Sequence, residues 1–471
     1  MQLLFLILMG IPSCKKFVEI NPPVTKLTEP SVFANEATAT GAQLGIYLQM
    51  FSGTYQVPLY FSLSADELQN YSSDNSIYPY YINLLLPNSD ALIWNTGYNY
   101  IYQANAVIEG LNASTAIATP IKNHLSGEAY FTRAFWYFYL LNSYGDLPLC
   151  TTTDYKVNAL LARSSKDIVY SQIINDLKNA QGLLTANYVD QSDTAVASDR
   201  IRPNISVATA LLARVYLYVG KYDSAELEAT SVIGDPTYSL EPNLNNVFLA
   251  NSNETIWQLE TPFPDLQTMQ SQIGQGYILT AVPSSGGTQN CTTISPGLLN
   301  SFEVGDQRMA DWVGVYTDNS VTPAVNYYYP FKYQVHDNNN NPSNRTEYTM
   351  MLRLAEQYLI RSEARAQQGN TQGALDDLNA IRHRAGLGDY SWATDQASLL
   401  AAILHERQVE LFTEWGHRWF DLKRTGNVNS VMNAEAPSKG ATWNASGYQQ
   451  LFPIPQIEIQ NDHNLTQNFG Y

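Results

Sequence analysis

Residues 351–387 read MLRLAEQYLIRSEARAQQGNTQGALDDLNAIRHRAGL, and the order of their apolar, small and turn-forming residues decides the fold. A helix rich in Leu, Ile and Ala runs to Gln368, Gly369-Asn370 supplies a turn, and a second apolar face runs from Ala374 to Ile381. Glycine just past a helix end takes the left-handed conformation cheaply, which is why it ends such helices. Residues 205–235, ISVATALLARVYLYVGKYDSAELEATSVIGD, repeat the layout. There a helix of Ala, Leu and Tyr stops at Gly220, Lys221-Tyr222-Asp223 turns, and Ala225, Ala229 and Val232 start a second face. Residues 124–146, HLSGEAYFTRAFWYFYLLNSYGD, belong with them.

Such units are helix-turn-helix pairs of the tetratricopeptide type, about 34 residues long. A solenoid would repeat them in tandem. Here the copies stand more than 50 residues apart, which predicts a helical scaffold interrupted by other material. Helical spacing also marks 35–50 and 91–111, where Ile93, Trp94, Tyr98, Ile101, Ala104, Val107, Ile108 and Leu111 share one face. Residues 55–90 and 236–350 carry Pro, Gly, Ser and Asn clusters with short β-like runs at Thr255–Leu259 and Tyr327–Tyr333. Long irregular segments in a compact body are usually functional or disordered, and the density of Tyr and Trp here favours ordered loops. Asp337–Asn341 (DNNNN) reads as a mobile tip. The expected fold is mainly α, with helix pairs and a loop-rich half holding short β segments. The expected division is a leader over 1–13, a tether over 14–34, an N-terminal helical part over 35–235 and a C-terminal part over 236–471 that forms one compact fold with it.

The 471 residues include 43 Asp and Glu against 26 Lys and Arg, a net charge of -17. Such a chain repels phosphate, so nucleic acid is excluded as a partner. Only 15% of residues are charged and 12% are aromatic, with Tyr outnumbering Phe by 32 to 16. That aromatic content excludes intrinsic disorder. An acidic, Tyr-rich body with many uncharged polar groups suits a neutral, hydroxyl-rich ligand.

Cys14, Cys150 and Cys291 are too few and too scattered for a zinc motif or a disulfide framework. Residues 2–9 (QLLFLILM) form an apolar run, too short to span a bilayer but suited to a signal peptide. Gly10-Ile11-Pro12-Ser13-Cys14 follows it, resembling a bacterial lipoprotein signal in which the Cys becomes the acylated N-terminus. No Lys or Arg precedes the run, which predicts a start codon further upstream, and Pro12 stands where a small or aliphatic residue is usual. An ordinary signal peptide with an incidental Cys is the alternative. With the lipid at Cys14, the anchor is the only membrane attachment expected.

The chain resembles the SusD/RagB family of outer-membrane lipoproteins. The resemblance rests on CKKFVEINPP, on Trp94…Tyr98…Ile101…Ala104-Asn105, on GEAYFTRAFWYFYLLNSYGDLPL and on YLIRSEARAQQGNTQGALDDLNAIRHRAGL. Its most specific parts are HERQVELFTEWGHRWFDLKRTG (405–426) and LFPIPQIEIQNDHNLTQNFGY (451–471). The resemblance implies a lipid-anchored protein on the exterior of the outer membrane. Such a protein caps a SusC-like TonB-dependent transporter and captures oligosaccharides, or peptides in some branches, for import.

The His417–Arg424 run (HRWFDLKR) has the look of a reactive cluster. Glu406, Glu410 and Glu414 fall at i, i+4 and i+8, with Arg407, Arg418 and Arg424 expected as counter-charges. A partly buried ion-pair network is the reading adopted for these, and for Arg361, Glu363 and Arg365. His405-Glu406 lacks a His at position 409, so it is not a metalloprotease helix, and no G-x-S-x-G, phosphate loop or C-x-x-C occurs. Asp337–Asn341 lacks the alternating ligands and the Gly of a calcium loop. No cofactor, metal or catalytic residue is therefore expected.

The aromatic residues carry the ligand-binding expectation. Sugar rings offer flat C–H faces that pack on Tyr or Trp, which give a large apolar area with a polar tip and little rotamer entropy to lose. One cluster is Asp66, Asn70, Tyr71, Tyr78, Tyr80 and Tyr81; the second is Tyr277, Trp312, Tyr316, Tyr327, Tyr328 and Tyr329. Trp94 and Asn95 open the helix after the first and join it. Trp257, Trp392, Trp415 and Trp419 are assigned to structure. Three alternatives stay open: peptide capture, a tetratricopeptide-type protein adaptor, and a glycosidase whose paired carboxylates sequence spacing does not reveal.

Overall fold

The computed structural model describes residues 29–89, 91–193, 195–262, 270–337 and 345–471. The leader, Cys14 and the tether up to residue 28 lie outside the described residues, as do residues 338–341 of the expected mobile tip. At the end of the stretch read as tether, Glu29–Val32 form a helical turn. Phe33 then buries its ring where a Cβ on Gly110 would lie 2.1 Å from it, so only glycine fits there.

Helix α1 (Glu36–Phe51) begins at Asn35, whose side chain accepts the Thr38 N–H and satisfies an orphan donor of the first turn. Helix α2 (Gln56–Ser64) follows in a stretch read as loop. It carries no amphipathic period because Val57 through Ser64 are all buried. Next come β1 (Leu68–Asn70), α3 (Leu92–Ala113), α4 (Thr119–Tyr144), α5 (Lys166–Leu183), α6 (Ile205–Tyr218) and α7 (Tyr222–Ile233). The loop-rich half supplies β2 (Thr255–Leu259), β3 (Thr292–Ile294), β4 (Val313–Asp318), β5 (Val325–Pro330) and β6 (Thr349–Arg353). After it run α8 (Leu354–Gln367), α9 (Thr371–Arg384), α10 (Gln396–Leu411) and α11 (His417–Arg424).

Gly220 and Gly369 end α6 and α8 with φ of 71° and 79°, as the turn reading requires. Met351–Arg353, read as the start of a helix, instead finish β6, which pairs antiparallel with β2. Helices α3 to α9 pack each on the next in chain order, α7 lying against α8. The α6–α7 and α8–α9 pairs, far apart in sequence, are therefore neighbours in space. Buried Ala225 and Ala229 on α7, with Ala364 and Ala366 on α8, permit the approach, and Arg365 reaches across to Glu226 at 2.8 Å.

An aromatic spine ties the loop-rich half to the helices. Phe135 on α4 lies 5.4 Å from Trp257 of β2 and 5.7 Å from Trp415, both edge-on. Trp257, Trp415 and Trp419 are buried. Trp392 is not: it stands 59% exposed in the loop between α9 and α10, contrary to its assignment to structure.

The charged run is an ion-pair network, but with different partners from those expected. Arg308 bonds Glu406 at 2.6 Å, Glu410 at 3.0 Å and Asp306 at 2.8 Å. Arg353 joins Glu410 at 2.5 Å and Glu414 at 2.8 Å, Arg384 contacts Glu410 and Glu254, and Lys332 holds Glu414 at 2.6 Å. The expected cations serve other carboxylates: Arg407 pairs with Asp421, Arg418 with Asp66, and Arg424 with Glu363 and Asp421. A side chain next to Glu406 on a helix points about 100° away from it, so Arg407 cannot share its face. Three neighbouring cations hold Glu410 well below the ordinary carboxylate range, against the opposing effect of burial.

Candidate functional site

The two aromatic clusters meet in space. Strand β1 pairs antiparallel with β3, Leu68 opposite Ile294 and Asn70 opposite Thr292. The Tyr71 N–H extends the ladder by donating to the Cys291 carbonyl at 2.9 Å. The chain then turns on its own side chains. Ser72 N–H donates to Asn70 Oδ1 at 3.1 Å, and Asn70 Nδ2 donates to the Ser72 carbonyl at 2.7 Å. Ser76 N–H and hydroxyl both donate to Asp74 Oδ1, at 2.8 and 2.6 Å. Those bonds hold the Asp74 carboxyl below its usual range. The loop is also stapled sideways, Ser72 Oγ donating to Gly287 O at 2.7 Å and Ser73 N–H to Ser285 O at 3.2 Å. A loop fixed this way presents its side chains without further ordering cost.

The second cluster arrives on the β4–β5 hairpin, in which Tyr316 lies opposite Tyr327 and Gly314 opposite Tyr329. The Tyr329 ring covers Gly314 so closely that a Cβ there would lie 2.3 Å from it. Alternation along β5 separates its tyrosines. Tyr327 and Tyr329 join Tyr316, Phe331, Ile278 and Leu279 in one apolar cluster, whereas Tyr328 packs on the main core. Tyr71 stands edge-on to Tyr327, with ring centroids 5.8 Å apart at 75°. Tyr71 and Tyr78 are 41% and 40% exposed, and Tyr327 is half-buried.

Several expected ligand residues are spent elsewhere, which corrects their assignment. Tyr80 stacks on Tyr60 at 4.2 Å and is buried. Tyr81 is buried under the Lys439 ammonium, and burial pushes its hydroxyl up to about 12. Trp94 packs between Tyr98 and Tyr144 at 4.7 and 5.0 Å. Tyr277 is buried edge-on to Tyr55. Trp312 is wholly buried, its indole N–H donating to Leu244 O at 3.0 Å and its ring 4.9 Å from Lys332. Asp66 gives both carboxylate oxygens to Arg418, at 2.7 and 2.6 Å. None of these six has a face left for a ligand. In each case an aromatic or carboxylate that looked available in sequence fills the core or answers a buried guanidinium. Asn95 is exposed at the start of α3.

The exposed set is thus Tyr71 and Tyr78, with Tyr327, Asn70 and Tyr328 partly covered. Beside it runs Ser284–Gln289, a small polar segment bonded to the Tyr71 loop through Ser285 and Gly287. Sequence reasoning passed it over: Ser-Ser-Gly-Gly signals a turn, but only the β1–β3 pairing brings that turn to Tyr71. Flat exposed rings bordered by hydroxyls and amides make a surface for a neutral, ring-shaped, hydroxylated ligand.

Known proteins share this architecture. A family model described as SusD family matches residues 301–471, and one described as starch-binding associating with outer membrane matches residues 45–217. Over 508 residues the chain is 24% identical to SusD-like protein P25 of Formosa agariphila, covering 95% of this chain and 94% of that protein. A SusD homologue from Bacteroides thetaiotaomicron superposes with a TM-score of 0.79 at 21% identity, over 94% of this chain and 98% of the other. A laminarin-binding SusD-like protein superposes with a TM-score of 0.75 at 23% identity, over 93% and 100%.

Proposed function

Because the chain belongs to the SusD family, we propose that it is a cell-surface carbohydrate-binding protein that captures an oligo- or polysaccharide and passes it to a SusC-like TonB-dependent transporter. The observation that carries the ligand half of this reading is the Tyr71–Tyr327 contact, which builds one aromatic face from two distant loops. The names of the second family model and of the laminarin-binding neighbour support a glycan as the ligand. Lipid at Cys14 anchors the protein to the outer membrane, facing the exterior. Its role is binding without turnover, a reading supported by the binding proteins it resembles. Calorimetric titration with glucan oligosaccharides, with reducing ends assayed in parallel, tests the proposal.

One observation favours a second reading. A groove of about 810 Å³ runs between the α6–α7 turn, α8, α10 and α11, lined by Tyr218, Gln367, Leu400, Leu404 and Leu422. Its size and its mix of apolar, amide and charged groups, Glu363, Arg418 and Arg424 among them, suit a peptide. Saturable heat from a protein digest, with none from glucans, would favour that reading.

A further inference from the structure

Trp392 is 59% exposed, whereas the other seven tryptophans are each at most 6% exposed. The turn that presents it is braced: the Tyr390 N–H donates to Asn379 Oδ1 at 2.8 Å and the Tyr390 hydroxyl to Ala393 O at 3.1 Å. The two rings lie 5.2 Å apart at 56°, and the Arg382 guanidinium sits 5.7 Å from the centre of the indole. They border an open cleft of about 480 Å³ whose remaining polar wall is Glu303, Ser398 and His405.

The charges around the cleft decide what it can hold. Arg382 already bonds both oxygens of Glu303, at 2.5 and 3.1 Å, and the Gly388 carbonyl at 3.1 Å, with Glu406 3.5 Å away. Its positive charge is answered before any ligand arrives, so the cleft has no unmet demand for an anion. A second cation would have to displace Arg382 from Glu303. Burial holds the His405 imidazole below its ordinary range, which keeps it neutral at pH 7. An exposed indole face with neutral or already paired hydrogen-bonding groups at its edge is the arrangement that receives an uncharged sugar ring.

We infer that the Trp392 cleft is a second saccharide-binding site, in which a neutral pyranose packs its C–H face on the indole while Glu303, Ser398 and His405 meet its hydroxyls. This rests on the carbohydrate reading above. The cleft is distinct from the Tyr71–Tyr327 face: Tyr390 packs on the apolar cluster around Leu378 and Leu399, whereas Tyr327 packs on the one around Ile278 and Tyr329. Two separate contacts on one long glycan raise its overall affinity without either being strong.

Because the other tryptophans are buried, acrylamide quenching of tryptophan fluorescence reports chiefly on Trp392. The full mature chain is titrated with laminarihexaose and maltohexaose, following quenching and heat together. The expected result is protection of the quenchable signal by at least one sugar, retained in Tyr71→Ala. Trp392→Ala should remove the quenchable signal and one binding site per chain. Heat without protection overturns the second site and leaves the carbohydrate reading standing. Protection that disappears in Tyr71→Ala also overturns it. Neither heat nor protection overturns the second site for these glucans, and the wider polysaccharide panel then decides the carbohydrate reading separately.

Discussion

Tyr71 and Tyr327 meet edge to face, 5.8 Å between ring centroids, although they belong to opposite halves of the chain. The contact exists because Tyr71 is the residue at which β1 leaves its pairing with β3, its N–H still bonded to Cys291 O. The hairpin carrying Tyr327 is fixed in turn by Tyr329 lying over Gly314. An aromatic face built this way depends on both loops at once.

Removing either ring should weaken glycan binding while leaving the fold intact. Tyr71→Ala deletes an exposed aromatic platform, for which a loss of about 1–2 kcal/mol, roughly 5- to 30-fold in Kd, is expected. Calorimetry measures the affinity and a thermal melt checks the fold. A lower Tm with unchanged affinity would argue that Tyr71 is a packing residue.

Trp312 should behave in the opposite way. With its ring in the core against Phe248 and its N–H on Leu244 O, Trp312→Ala should cost about 3–5 kcal/mol of stability. Urea denaturation reads the loss. A Trp312→Ala chain that keeps its unfolding midpoint but no longer binds sugar would return Trp312 to the ligand site.

Glu410 receives Arg308, Arg353 and Arg384 together, so Glu410→Gln leaves buried guanidinium groups short of a counter-charge. A loss of about 3–5 kcal/mol is expected. Because the folded-state pKa of Glu410 is depressed, its contribution is fully present above the unfolded value near 4.3 and fades as pH falls below it. The wild-type chain should therefore lose more stability than Glu410→Gln between pH 5 and pH 3 in urea titrations. Parallel losses would remove Glu410 from the acid response.

Glu67 gives the reverse pH dependence. Burial pushes its carboxyl up to about 7, although it accepts the Thr413 N–H at 3.2 Å. The folded chain then binds more protons than the unfolded one between about pH 4.3 and 7, so stability falls as pH rises through that window. The expected fall is a few kcal/mol, since each unit of displacement corresponds to about 1.4 kcal/mol. Glu67→Gln, which needs no proton to stay neutral, should flatten this slope. Unfolding midpoints that decline equally in both chains from pH 5 to 8 would contradict the assignment.

The helical half was legible in sequence where length and turn chemistry marked it, even for α6, which is buried along most of its length. Gly220 and Gly369 marked the turns, and Ala225 and Ala374 the facing sides, because periodicity and turn chemistry are local. Helix α2 was invisible because it is only nine residues long, contains Pro58 and is buried on nearly every side. The loop-rich half hid which aromatics face out. Tyr80 and Tyr81 sit beside exposed Tyr78 in sequence, and Tyr328 beside Tyr327, yet their surroundings differ because long-range pairings decide which side of a strand or turn is covered. Trp392, grouped in sequence with the structural tryptophans, is instead exposed by the position of the α9–α10 loop, which no local pattern shows. The Glu406–Glu410–Glu414 ladder was readable as scaffold, but its partners Arg308, Arg353 and Arg384 are distant in sequence, so spacing alone pointed to nearer cations.

The most direct measurement is calorimetric titration of the chain without residues 1–14 against plant, host and microbial polysaccharides, repeated with Tyr71→Ala/Tyr327→Ala. Saturable heat for at least one glycan, no release of reducing ends, and strong weakening in the double variant are the expected results. Silence across the panel, or a double variant that binds as well as the parent, would contradict carbohydrate capture at this face.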